Sequence, residues 1–126
     1  MTSRSRRAQA SAKQALSRRA EDLAAAHLAR MGFDIVGRNV RVPGGELDIV
    51  ARRGRLLVVC EVRARSNDTH LSPVDTLGPA KQNRVRASTI RWMSQHDLDT
   101  SELRFDAASV VFDTPGGRME YYEGAF

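Results

Sequence analysis

A chain of 126 residues with 20 Lys and Arg against 15 Asp and Glu has the length of one domain and a net charge of +5. Its single cysteine excludes an internal disulfide, and no apolar run approaches the length of a membrane span. The basic N-terminus lacks an apolar signal core, which reads as a cytoplasmic protein with no membrane association.

The charge is unevenly placed. Residues 1–19 hold Arg4, Arg6, Arg7, Lys13, Arg18 and Arg19 and no acid, whereas the rest of the chain carries 14 cations against 15 acids. Attraction to a polyanion therefore rests on this arm and on local patches. Many such arms are only solubilising extensions. Residues 1–10 lack apolar periodicity and are expected to form a disordered basic arm, with a single domain over residues 11–126.

A helix is expected over residues 11–31, stopped by Gly32 as a left-handed cap. Leu16, Ala20, Leu23, Ala24, His27, Leu28 and Met31 make its buried arc, and Glu21 lies at the edge of that arc. Spacing alone favours a surface ion pair of Glu21 with Arg18 over a role across the sheet. His27 reads as packed. A strand follows over residues 33–42, turned at Pro43-Gly44-Gly45 into a hairpin of strands 46–52 and 55–64 about Arg53-Gly54. Residues 66–77 are polar and read as a loop. Gly78-Pro79 opens a second helix to about residue 96, packed through Val85, Thr89, Trp92 and Met93. Strands over residues 103–112 and 118–122 complete the order αβββαββ, an α/β fold with a mixed central sheet flanked by helices.

The hairpin carries the chemistry. Leu56 to Val62 is apolar on both faces, apart from Glu61, as suits a strand with layers above and below it. Asp48 lies on one strand and Glu61 and Arg63 on the next, and Cys60 reads as a buried thiol. If the strand faces coincide, Asp48 and Glu61 stand roughly 5–8 Å apart at Cβ. Two adjacent buried carboxylates repel each other, and a hard divalent cation relieves that cost. Ion pairs with Arg63 and Arg65 on a solvated face are the equally weighted alternative. Lys81, in the first turn of the second helix, is placed either to hold a phosphate near the helix N-terminus or to sit solvated.

Glu21, Gly45-Glu46-Leu47-Asp48, Glu61-Val62-Arg63, Arg65, Lys81 and Arg104-Phe105-Asp106 together resemble the YraN family of bacterial endonuclease-related proteins. That family is similar in turn to archaeal Holliday-junction resolvases and to the wider PD-(D/E)XK nuclease superfamily. The resemblance covers about residues 20–126 and implies a restriction-endonuclease-like fold. It implies that Asp48 and Glu61, with the backbone carbonyl of Val62, hold Mg²⁺ or Mn²⁺, and that Glu21 is a helix-borne acid of the same site. It names Glu21, Asp48, Glu61 and Arg63 as catalytic, and Lys81, Arg65 and Arg84 as contacts to nucleic acid. Arg63 departs from the pattern, which has a catalytic lysine there. A guanidinium can stabilise charge on a phosphate but cannot act as a base. It could also neutralise Asp48 and Glu61 in place of a metal.

Three functions compete. The first is a metal-dependent endonuclease hydrolysing DNA phosphodiesters, with branched or flapped DNA as candidate substrates. The second is a nucleic-acid-binding module without cleavage, and the third is a protein-interaction domain. Related resolvases are dimers, which leaves a homodimer open, although no isologous patch is legible in the sequence.

Overall fold

The computed structural model describes residues 3–65 and 77–126. The elements are α1 (Ser3–Arg30), β1 (Asp34–Val42), β2 (Gly45–Arg53), β3 (Leu56–Arg65), α2 (Pro79–Ser94), β4 (Glu102–Val111) and β5 (Arg118–Tyr122). This is the expected αβββαββ order. Of the loop expected over residues 66–77, all but Leu77 lies outside the described residues.

The five strands form one sheet in the order β1-β2-β3-β4-β5. Neighbours are antiparallel except β3 and β4, which run parallel. A parallel pair needs a crossover, and the segment containing α2 provides it. On one face Ala24, Ala25 and Leu28 of α1 pack on Ile49, Ala51, Val58, Cys60 and Ala108. On the other, Val85 and Trp92 of α2 pack on Leu47, Val50, Leu57, Val59 and Phe105. The hairpin β2–β3 is therefore covered on both sides, which is why residues 49–51 of β2 and 56–60 of β3 are continuously apolar.

The first helix departs from expectation. The segment taken as a disordered arm is helical from Ser3, eight residues before the expected start at Ser11. No Gly or Pro interrupts Ser3–Arg30, and Ala, Arg, Gln and Lys are strong helix formers. Missing apolar periodicity shows only that a segment does not pack, and residues 5–15 are indeed exposed throughout. The helix ends as expected: Gly32 has φ +88° and the Phe33 amide donates to the Leu28 carbonyl at 3.0 Å. His27 is packed, its ring stacked on Tyr121 at 4.3 Å between centroids. Met31, placed in the buried arc, is 46% exposed because it follows the last helical turn.

The turn into the hairpin is pressed against α2. The Arg91 guanidinium donates to the Pro43 carbonyl at 2.8 Å, and a Cβ at Gly45 would stand 2.1 Å from the Ser88 hydroxyl oxygen. Gly45→Ala is therefore expected to cost about 1–3 kcal/mol in denaturant unfolding. Ser88→Ala in the same chain should recover much of that loss. Equal stability of Gly45→Ala and wild type would show that the Ser88 hydroxyl turns aside without cost.

Candidate functional site

Asp48 and Glu61 meet beyond the last ladder pair of the hairpin, Ile49↔Cys60. Each carboxylate accepts from a backbone amide of the opposite strand. The Val62 amide donates to Asp48 Oδ2 at 2.8 Å, and the Asp48 amide donates to Glu61 Oε2 at 3.3 Å. The two acids are thus fixed side by side. The group of Val62 that engages Asp48 is its N–H.

Simple strand alternation breaks at this level. Leu47 belongs to the α2-side core, yet Ile49, two residues on, belongs to the α1-side core. The β1–β2 register is the same at Arg38↔Ile49 and Val40↔Leu47, its shift lying at Ile35/Gly37, and between these two pairs Asn39 stands at the Asp48 level with φ +49°. Asn tolerates that left-handed conformation better than most residues. Sequence reading missed Asn39, whose amide donates to Glu21 Oε1 at 2.8 Å. An Asn amid β-branched neighbours was the available signal.

The acids share a cleft of about 340 Å³ with Gly44, Gly45, Glu46, Lys81, Arg84, Val85 and Ser88. Burial, then the neighbouring Asp48 charge, pushes the Glu61 carboxyl up to about 8. Asp48 is also raised, chiefly by burial, against the opposing effects of the Val62 amide and of Lys81 and Arg63. Lys81 and Arg84 lie one turn apart at the start of α2, whose cap, Gly78, makes no side-chain hydrogen bond. Uncapped N–H groups, the helix dipole and two cations make that wall suited to an anion.

Glu21 stands apart. It is 7% exposed, bonded to Asn39 and 3.9 Å from the Arg38 guanidinium, and so is neither an exposed pair nor a partner of Arg18. Burial, and secondarily the Asp48 charge, raises its pKa. It opens on a neighbouring cleft with Lys13, Arg18 and Asn39, and Glu46 lines both clefts. Among the described residues no three His, Cys, Asp or Glu side chains are grouped to hold a metal ion. Asp48 and Glu61 alone suit a hard cation that keeps most of its water, as Mg²⁺ commonly does. Arg63 is half-buried near Asp48, and its Nε is buried without a hydrogen-bond partner among the described residues. Arg65 ends β3, half-buried and outside the cleft lining.

The protein-family model described as "Uncharacterised protein family UPF0102" matches residues 20–110. The chain belongs to this family. A UPF0102 protein of Acidothermus cellulolyticus is 41% identical over 128 residues, covering 93% of this chain and 97% of that one. Another from Anaeromyxobacter dehalogenans is 42% identical over 114 residues, covering 90% and 85%. A third, from a Parafrankia species, is 42% identical and covers 90% and 97%. The UPF0102 match begins at Ala20, where α1 becomes buried, and contains Glu21, Asp48, Glu61, Arg63, Lys81 and Asp106. The exposed N-terminal part of α1 lies before it. No helix among the described residues is long and apolar enough to cross a membrane.

Proposed function

We propose that this UPF0102 protein is a metal-dependent endonuclease that hydrolyses phosphodiesters of DNA, on the PD-(D/E)XK nuclease plan. The observation that carries this reading is the paired burial of Asp48 and Glu61, each held by the other strand's backbone, in a cleft walled by Lys81 and Arg84. Two carboxylates raised by burial and mutual repulsion are costly without a cation. A divalent ion held by them would supply Lewis-acid stabilisation of charge on the phosphate. Lys81, Arg84 and the N-terminus of α2 hold the phosphate over the acids. Arg63 donates to the oxygen on which charge builds. Water attacks phosphorus in line and gives up a proton to solvent, a new P–O bond forms as the ester P–O bond breaks, and the leaving oxygen takes up a proton from solvent.

The test is incubation with Mg²⁺ or Mn²⁺ and a panel of linear, flapped and four-way DNAs. Metal-dependent nicking that chelation abolishes is expected. The presence of Arg63 and Lys81 beside the acids favours one second reading, a binding module whose acids are neutralised by these cations. Salt-sensitive DNA binding without cleavage in either metal would select it.

Arg63 gives a sharper prediction. Its Nε, buried without a hydrogen-bond partner among the described residues, carries a desolvation cost that a lysine, which has no Nε, does not. A lysine also puts a smaller, adjustable cation beside the acids, so Arg63→Lys is expected to raise metal-dependent nicking by about tenfold, a part of the roughly 10²–10³ that an electrostatic donor is worth. A neutral or slower Arg63→Lys protein would instead make the guanidinium a working replacement for lysine.

A further inference from the structure

We propose that the exposed N-terminal half of α1 is a helical rail, which binds the sugar–phosphate backbone of nucleic acid beside the Asp48–Glu61 cleft through one face. This rests on the proposed function in taking nucleic acid as the partner. It goes further in assigning a second site, its residues and its direction.

The face follows from helical spacing. Ala20 and Ala24 are fully buried against the sheet. Positions seven and fourteen residues before Ala20 lie close to the same side of the helix, two turns and four turns further out. They are Lys13 and Arg6, both exposed. The side that is apolar over the sheet is therefore cationic where the helix projects past it. There Lys13, Gln14, Ser17 and Arg18 face Asn39 and Glu46 across a cleft of about 510 Å³. Glu46 also lines the cleft of Asp48 and Glu61, so the two are continuous at that side chain. Glu46 and the buried Glu21 mark the inner end of the rail as acidic, while the helix before Glu21 carries no acid.

The occupant follows from chemistry and length. Cations interleaved with amide and hydroxyl donors match phosphate oxygens. A lipid surface is disfavoured, because residues 3–14 carry no large apolar side chain to insert. From Arg6 to Ala20 the helix spans about 21 Å, roughly six base pairs of duplex. An unpacked helix of this length is marginal in water, and a bound polyanion would stabilise it.

The test moves the charges without changing their number. Residues 8 and 15 are exposed alanines on the opposite side of the helix. A variant carrying Arg6→Ala, Lys13→Ala, Ala8→Arg and Ala15→Lys keeps net charge, composition class and the buried face of α1. Binding to a fluorescent duplex is measured by anisotropy from 50 to 300 mM salt. The rail predicts that the variant's slope of log K against log salt falls by about 2, with affinity at 0.1 M salt down roughly 10- to 60-fold. Equal binding by the two proteins would overturn the rail and leave the proposed function standing, since an arm acting only through its total charge is indifferent to position. Absence of binding by wild type at every salt concentration would overturn both.

Discussion

Asp106→Ala is expected to remove about 3–5 kcal/mol of folding stability, the range for breaking a buried, hydrogen-bonded charge pair from one side. Asp106 is wholly buried on β4. Its Oδ1 accepts from Arg104 Nε and the Gly124 amide, both at 2.9 Å. Its Oδ2 accepts from Arg104 at 2.9 Å and from the Tyr121 hydroxyl at 2.6 Å. Truncation leaves a hydroxyl and an amide short of a partner at once and leaves the half-buried Arg104 guanidinium only Glu123, 3.7 Å away, as a counter-charge among the described residues. The same carboxylate ties β4 to the end of the chain, where the Ala125 amide bonds the Phe105 carbonyl at 2.7 Å and Phe126 stacks on Phe105. Urea unfolding measures the loss. A cost under about 1 kcal/mol would mean that water replaces these contacts readily, contrary to their burial.

Arg104-Phe105-Asp106 was visible in the sequence as a motif, but its purpose was not. The two charged residues are i and i+2 on one strand, and their other partners come from β5 and the residues after it. Periodicity reports which face a residue lies on and is silent about such non-local bonds. The hairpin was legible for the opposite reason. Strands apolar on both faces admit few other environments, so Asp48 and Glu61 stood out and could be paired by register. Where that reasoning weakened, the break in alternation lies at the Asp48 level, opposite Asn39 with its φ of +49°, on a strand whose register the hairpin alone does not fix. Glu21 shows the same limit. Its spacing put it at the edge of a helical arc, but its burial depends on Asn39 and Arg38 reaching it from β1. The N-terminal part of α1 was misjudged because helix formation and helix packing are separate properties, and the sequence signal reports mainly the second.

Asp48→Asn is expected to abolish most metal-dependent cleavage, a loss of roughly 10²–10³ or more in rate, while DNA binding is unchanged or tighter. The substitution keeps an oxygen to accept from the Val62 amide, so the hairpin should stay folded. It removes a negative charge beside Glu61 and, on the proposed function, beside the phosphate. Stability supplies an independent readout without substrate. The Glu61 carboxyl is pushed up to about 8 by burial first and by Asp48 second. In the native state it therefore holds its proton over a range where the unfolded chain, near 4.5, has lost it. Its contribution is complete below about pH 4.5 and is lost as pH rises through about 8. Wild-type stability without divalent ions should therefore fall between these limits. Mg²⁺ should restore more of it at pH 8.5 than at pH 6, because the cation competes with protons for the same carboxylates. In Asp48→Asn the decline should be shallower, since burial of Glu61 remains but its charged neighbour is gone, and Mg²⁺ should add little. Thermal melts at three pH values, with Mg²⁺ and with chelator, separate these outcomes. A wild-type profile that rises with pH through this window would mean that Asp48 and Glu61 are already neutralised by Arg63 and Lys81. The acid pair would then need no metal.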